Sequence, residues 1–265
     1  MRFLTWNIRQ GGARFAGPIV DAVRDQQPDV AVLTEYWSRS SGPILDKLAR
    51  LGWSHALSSV PPENRKPGIA IVSRHEISAT GVNDVAVPVP HRFLEARVPA
   101  LGVTVGAVYG PLKKEDYRAF WTALLAYLAG EPARTGYLLT GDFNTGHAGL
   151  DADNPKFFCS PFFRRLGETG LVDAWRARHG ESTRASSFWQ TRQGREYGYR
   201  IDHAFVSPDV AARLDYCEYV DDGRKAGHSD HAMLVTRFRP AVERTVSRTD
   251  AGSVPSGVSS GIRVR

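Results

Sequence analysis

The sequence predicts an α/β protein in one domain, with mixed sheets and helices on the outside. Three observations carry this. Apolar runs of strand length recur from residue 2 to residue 238. Stretches with helical spacing of apolar residues fall between them. One pair of runs, 92–98 and 102–109, lies close enough to form a hairpin, so the sheets are not purely parallel.

The first strand is expected at 2–8, ending in the polar glycine turn Asn7-Ile8-Arg9-Gln10-Gly11-Gly12. Ile19, Val20 and Val23 give 17–27 a helical period, closed by Gln27-Pro28. A buried strand at 29–35 ends in Glu35. Residues 42–51 read as a helix through Ile44, Leu45, Leu48 and Leu51. Strands follow at 53–59 and 68–74, with a Pro-rich loop at 61–67 between them. The hairpin ends in Tyr109-Gly110-Pro111. Residues 114–129 place Phe120, Leu124, Leu125 and Leu128 on one helical face. A strand at 136–141 runs into Gly141-Asp142-Phe143-Asn144. Then come a loop at 145–160, a short helix at 161–168, and strands at 200–206, 214–220 and 232–238. The domain is bounded at 1–240. The 241–265 segment loses all periodicity and reads as a disordered basic tail.

The net charge is +6, of which four Arg against Glu243 and Asp250 leave +2 in the tail. The remaining +4 permits a polyanionic partner without demanding one. Two cysteines, Cys159 and Cys217, are too few for a disulfide framework, and a reducing compartment fits. The chain starts on a strand with no signal-like apolar region, and no stretch is long enough to span a membrane. A soluble cytoplasmic protein, without a membrane or an obligate protein partner, is the expectation.

Five strand ends carry polar groups: Asn7, Glu35, Asp142 with Asn144, Asp202, and Asp230 with His231. If the strands lie side by side, these converge on one rim. Period-two alternation would aim Asp142 and Asn144 the same way. Carboxylates and carboxamides without cysteine suit Mg²⁺, or Mn²⁺, rather than zinc. No zinc-ligand spacing, phosphate-binding Gly-Lys-Ser/Thr loop or Gly-x-Ser-x-Gly elbow is present. The chemistry that suits the set is attack of water on phosphorus. Glu35 would hold the metal and Asp142 would take the water's proton. Asn7 and Asn144 would orient groups around them. His231 would face a phosphoryl oxygen with Asp202 fixing its tautomer. Asp230 would be a second metal or orienting carboxylate, and Tyr109 would donate to a phosphate oxygen. Structural explanations compete: Asp202 beside Arg200 as a simple ion pair, Asp173 as an N-cap, and His203 and His228 as structural histidines.

The ordered motifs Thr5-Trp6-Asn7-Ile8, Leu33-Thr34-Glu35, Gly141-Asp142-Phe143-Asn144, Arg200-Ile201-Asp202-His203 and Ser229-Asp230-His231 resemble the endonuclease/exonuclease/phosphatase superfamily, which includes deoxyribonuclease I and exonuclease III. The resemblance runs from residue 2 to about 238. It implies a four-layer α/β sandwich of the deoxyribonuclease I-like kind and Mg²⁺-dependent phosphoester hydrolysis. It assigns Glu35 to the metal, Asp142 to the attacking water, Asn7 and Asn144 to orientation, Asp202 and His231 to a pair with Asp230 beside it, and Tyr109 to the phosphate. Arg9, where abasic-site endonucleases often carry Asp, departs from the pattern, as do Thr34 and the missing proline after His231.

Within that superfamily the segment 184–200 favours a nuclease acting on DNA. There Arg192 and Arg195 interleave with Trp189 and Tyr197, which suits phosphate contact and base stacking. Phe188 and Trp189 also fit a core. Lys113-Lys114, Arg164-Arg165 and Arg224-Lys225 are further candidates for backbone contacts. A phosphatase or phosphodiesterase for small or lipid substrates is the second reading. A catalytically silent nucleic-acid-binding module is the third.

Overall fold

In the computed structural model, residues 1–60, 66–81, 88–112, 114–130, 135–152 and 157–240 are described. Most of the loop expected at 61–67, all of the tail at 241–265 and Lys113 lie outside them. So does the side chain of Lys114.

The first sheet is built from β1 (Arg2–Asn7), β2 (Val30–Tyr36), β3 (His55–Ser58) and β4 (Gly68–Ser73) with two later strands. Helices α1 (Ala16–Gln26) and α2 (Ser38–Arg50) lie between β1 and β3 in the chain. β5 (Ser78–Ala79), β6 (Phe93–Val98), β7 (Val103–Tyr109), α3 (Lys114–Ala129) and β8 (Tyr137–Asp142) open the second sheet. Then follow α4 (Ser160–Arg164), β9 (Val172–Asp173), α5 (Ala174–His179), β10 (Phe188–Arg192), β11 (Arg195–Tyr199), β12 (Asp202–Val206) and α6 (Pro208–Ala211). β13 (Leu214–Val220), α7 (Asp222–Lys225) and β14 (Met233–Phe238) close the chain.

Strand order is β13-β14-β1-β2-β4-β3 in one sheet and β5-β6-β7-β8-β12-β9 in the other. Each sheet holds a parallel pair, β1 with β2 and β7 with β8, among antiparallel neighbours. The sheets are therefore mixed, as the sequence predicts.

Alternation along the strands explains the layers. Phe3, Val30, Val32, Ile69, Ile71 and Leu234 of the first sheet share one buried cluster with Leu94, Val105, Leu138 and Val206 of the second. The intervening residues Leu4, Trp6, Ala31, Leu33 and Val72 pack against Ile19, Val23, Ile44 and Leu48 of α1 and α2. On the far side, Phe93, Val108, Leu139 and Phe205 pack against Phe120, Trp121, Leu124 and Leu128 of α3. The order is helix, sheet, sheet, helix. Both faces of both sheets are covered, which is why these strands read as continuous apolar runs.

One helix departs from its expected start. The apolar spacing places it at 42–51, yet α2 begins at Ser38 and runs through Pro43. Ser41 explains this: its hydroxyl accepts from Trp37 N at 3.0 Å and donates to Gly11 O at 2.8 Å, holding the first turn in place. Pro43 is the sixth residue of the helix, so its missing N–H forgoes one i→i−4 bond, to Arg39 O, which the helix tolerates. The segment 184–199, to which the periodicity assigns no element, is the separate hairpin β10–β11. Its turn is Gln193-Gly194, with φ of 50° and 75°. That two-residue geometry matches the twist of the strands it joins.

Candidate active site

Sheet register places the first group of side chains. Tyr109 of β7 pairs with Asp142 of β8, and Asp142 pairs with Asp202 of β12. Three strand ends therefore set Tyr109, Asp142 and Asp202 side by side on one rim. β8 reaches this position through Gly141, whose φ is 141°. A Cβ there would sit 2.0 Å from Val108 O, so the close approach of β7 to β8 requires glycine.

The first sheet supplies the opposite bank. Asn7 ends β1, paired with Thr34 of β2. Register slips between Thr34 and Tyr36, and Glu35 sits in the slip with φ of 55°. The bulge turns a residue that alternation alone would misplace. Asn7 then joins the two banks. Its Nδ2 donates to Glu35 Oε1 at 3.1 Å and to Asp142 Oδ2 at 2.9 Å. Gln10 N donates to Glu35 Oε2 at 2.6 Å.

His231 enters from the Ser229-Asp230-His231 turn, which is clipped to β1. Ser229 Oγ donates to Asn7 O at 2.7 Å and accepts from His231 N at 3.0 Å. Trp6 Nε1 donates to His231 O at 3.0 Å. The His231 Nδ1–H donates to Asp202 Oδ2 at 2.8 Å, leaving Nε2 to face the site. Ser187 fixes the Asp202 side: its hydroxyl accepts from the backbone of Ile201 and Asp202, each at 3.0 Å. Its carbonyl accepts from Ala232 N at 2.7 Å. Sequence reasoning misses Ser187 and quotes Ser229 in its motif without giving it a role. The only sequence signal is the Ser preceding Asp230-His231.

The sequence-predicted residues divide as follows. The structure brings Asn7, Glu35, Asp142, Asp202, His231 and Tyr109 together. Asp230 lies at the lip, half-exposed, with Arg9 Nε 3.6 Å from its carboxylate. Asn144 is present but not as alternation predicts. The strand ends at Asp142, and Asn144 has φ of 52°. Its backbone N–H donates to Asp142 Oδ1 at 2.9 Å, and its side chain is spent on Gly110 O at 2.9 Å. Asp202 pairs with His231 and not with Arg200. Arg200 instead binds Asp151 and Asp173. Asp173 is an N-cap as well, accepting from Trp175 N and Arg176 N. His203 is structural. It is fully buried, its Nε2–H donates to Thr145 O at 2.9 Å, and burial beside Arg200 lowers it to about 3, so it stays neutral.

The hairpin residues do not share one face. Register pairs Gln190 with Tyr197 and Arg192 with Arg195, on the face that carries Phe188 and Tyr199. The Phe188 ring lies 4.8 Å from the His231 ring. Trp189 points the other way and is stacked by Arg224 at 3.9 Å. Trp189 thus departs from the expected grouping, because a hairpin sends neighbours in sequence to opposite faces.

Electrostatics follow from burial. Burial and the Asp202 charge raise Asp142 to about 7, against the opposing pull of His231, Asn144 N–H and Asn7. Burial alone would lower His231, but Asp202, with Asp142 and Asp230 behind it, raises it to about 9. Burial and the nearby Glu35 charge also raise Tyr109, so its phenol keeps its proton at neutral pH. Among the described residues, the carboxylates of Glu35, Asp142, Asp202 and Asp230 make ion pairs only with Arg9 and His231. Four oxygen-donor anions against two cations leave a deficit that a divalent cation would fill, and oxygen donors suit a hard one. Asp142, Asp202 and His231 present three ligand atoms within 4.8 Å of one another, a group that could hold a metal ion.

The endonuclease/exonuclease/phosphatase family description matches residues 4–231. The chain belongs to that family. Similar proteins include an exodeoxyribonuclease of Bacillus subtilis (strain 168), 30% identical over 53% of this chain and 64% of that protein. An exodeoxyribonuclease of Streptococcus pneumoniae serotype 4 is 25% identical over 86% of this chain and 97% of that protein. Among solved structures, the 3′ phosphatase NExo from Neisseria bound to product DNA hairpin superposes with a TM-score of 0.74 and 27% identity, covering 90% of this chain and 99% of that one. The layer order is thus the family's four-layer sandwich, and this member is a phosphoester-hydrolysing enzyme of the nuclease kind. No helix among the described residues is long and apolar enough to cross a membrane.

Proposed function

We propose that the protein is a Mg²⁺-dependent DNA nuclease. The observation that carries the reading is the single Asn7 amide that holds Glu35 and Asp142 together, with the Asp202–His231 pair beside them. Glu35 and Asp230 are the residues that would hold the metal. Of the anions they are the most accessible, whereas on the compact Asp142–Asp202–His231 side Asp202 and His231 are already spent on each other. When bound, the cation supplies Lewis-acid polarisation of the phosphoryl oxygen and charge for the leaving oxygen. Asp142 takes the proton of the attacking water. The His231 imidazolium and the Tyr109 hydroxyl donate to phosphoryl oxygens as negative charge grows there. Asn7 and Asn144 fix the orientation of Asp142.

DNA as substrate is supported by the relatives' names and by the face of β10–β11 that carries Arg192, Arg195 and Tyr197 beside His231. Next to Asn144, that face borders a cavity of about 370 Å³ lined by Phe158, Phe188, Tyr199 and Ile201. It has room for an unstacked sugar or base.

The test is a parallel assay with Mg²⁺ on supercoiled plasmid, abasic-site duplex, 3′-phosphate-ended duplex and inositol phosphates, with and without chelator. Cleavage of a DNA substrate that chelation abolishes is the expected result. Inositol-phosphate hydrolysis with DNA untouched would transfer the assignment to the phosphatase branch. The pH profile follows from the two shifted groups. Asp142 must be deprotonated, so kcat/KM rises through pH 7, and saturating Mg²⁺ moves this limb lower because a cation favours the anion. His231 must be protonated, so kcat/KM falls through pH 9. Asp202→Asn removes the charge that raises His231 and is expected to bring the alkaline limb down by at least one pH unit, on the order of the loss of a close ion pair.

A further inference from the structure

The Asp202–His231 pair spans the two sheets. Asp202 opens β12 in the second sheet, and His231 stands two residues before β14 in the first. Strand ladders therefore do not set their separation. Between the sheets lies the apolar cluster that includes Phe3, Val32, Leu138 and Val206. Apolar contact is non-directional, so it does not fix how one sheet slides on the other. A hydrogen bond of 2.8 Å within the pair needs a finer constraint. We propose that Ser187 and Tyr219 supply it, as positioning residues that clamp the Asp202 backbone to the first sheet by its N–H and its carbonyl. This rests on the reading that the pair serves phosphoester hydrolysis.

Ser187 works from the N–H side. It is fully buried. Its hydroxyl accepts from Ile201 N and Asp202 N, each at 3.0 Å, and its carbonyl accepts from Ala232 N at 2.7 Å. One residue thus bonds to the backbone beside each member of the pair. A hydroxyl has two acceptor sites, and here both are used. The hydroxyl donates in turn to Tyr199 O at 3.4 Å, and Ser187 N donates to the same carbonyl at 2.8 Å. The far strand of the hairpin therefore anchors the serine. The next residue, Phe188, forms a backbone bridge with His231 and sets its ring beside the imidazole.

Tyr219 works from the carbonyl side. It lies on β13, in the first sheet, and its hydroxyl donates to Asp202 O at 2.7 Å. Burial raises the phenol well above its ordinary value, so it remains a donor. Its ring packs on the inter-sheet cluster and lies 6.1 Å from the Trp175 ring, which holds the hydroxyl in place. Asn7 also crosses between the sheets, but to Asp142. The N–H of Asp202 is tied across the gap through Ser187, and its C=O directly by Tyr219. The carboxylate is left only its side-chain torsions to move through. Such control matters because a displacement of about 1 Å in a catalytic group can cost about 10²-fold in rate.

The test uses Tyr219→Phe, which keeps the ring and removes one hydroxyl. It also uses Ser187→Ala, which leaves two buried N–H groups without their acceptor. Proton NMR of the full chain reads the pair itself. The His231 Nδ1–H, bonded to a carboxylate, is expected to resonate far downfield and is identified by its loss in His231→Gln. Each clamp variant should move that resonance upfield or broaden it away through exchange with water. Kinetics with Mg²⁺ on abasic-site duplex should show kcat lowered about 10- to 10²-fold, with KM within about twofold of wild type. A variant that melts earlier, yet keeps the resonance and the kcat of its folded fraction, would overturn the clamp. So would a raised KM at unchanged kcat, a lowered kcat with the resonance unmoved, or no downfield resonance in wild type. If Ser187→Ala does not fold, Tyr219→Phe decides alone. If wild type cuts no DNA, the nuclease reading fails, and the resonance decides the clamp without it.

Discussion

Asp142→Asn is expected to reduce DNA hydrolysis by about 10²–10⁴-fold while leaving the fold intact, because it removes the base and almost nothing else. The substitution keeps the shape. The new carboxamide retains an oxygen to accept from Asn144 N–H, the contact that holds the turn after β8. The other contact turns against it: an amide NH₂ would face the Asn7 Nδ2 that now donates to Asp142 Oδ2. Asn7 keeps its bond to Glu35, so the mismatch is local. Against this loss, the protein no longer buries a carboxylate whose charged form is already penalised, as its rise to about 7 shows. The two effects oppose each other, and thermal unfolding should shift by no more than the equivalent of about 1–2 kcal/mol. The check is a nicking rate measured beside a melting curve on one preparation. A variant that melts normally and cuts at the wild-type rate would remove Asp142 from the chemistry. One that cuts slowly but unfolds early would leave the loss unassigned to the base, and Asp142→Ala with added formate as a replacement base would then separate the two.

How legible this site is in the sequence depends on which rule places each residue. Strand ends are readable, because an apolar run followed by a polar residue marks where a sheet meets solvent. Asn7, Asp142, Asp202 and Tyr109 are found that way, and register brings the last three into line. Glu35 is identified correctly for a reason that does not hold by itself. A regular β2 would aim it by alternation, and it is the bulge at 34–36, invisible in the pattern, that turns it toward Asn7. Asn144 shows the converse. Period two does not extend past the end of the strand, and a left-handed residue does not obey it. The hairpin is hard to assign because Arg and aromatic residues alternate there without an apolar face. The two serines and Arg200 cannot be ranked at all, since a residue that acts by satisfying backbone groups or distant carboxylates leaves no periodic trace.

Arg200→Ala should be the most damaging change outside the chemistry, costing about 3–5 kcal/mol because it strands buried carboxylates. Arg200 is fully buried. Its Nε donates to Asp151 Oδ1 at 2.8 Å and its Nη2 to Asp173 Oδ2 at 2.6 Å. Arg176, itself buried, also binds Asp151, so two guanidinium groups and two carboxylates form a closed set. The set ties the loop after β8 to α5 and to the residue preceding Ile201 and Asp202. Burial would raise both carboxyls, but Arg200 outweighs it and holds each below the ordinary carboxylate value. For groups depressed on folding, the stabilisation is fully present above the unfolded pKa, about 4, and is lost as pH falls through the folded value. Denaturant unfolding of wild type and Arg200→Ala should therefore differ most near pH 7, and the gap should narrow as pH falls, first as the stranded carboxyls of the variant, raised by burial, become neutral above about pH 4 and then as the wild type loses its own stabilisation below it. Arg200→Lys can reach only one carboxylate at a time, so its stability should fall between the two. Because Ile201 O accepts from Phe143 N at 2.8 Å and Asp202 orients His231, loosening this corner should also lower kcat in the folded fraction. A gap that stays constant from about pH 7 to about pH 3 would show that Arg200 acts through packing, including its contact with Trp175, and not through its charge.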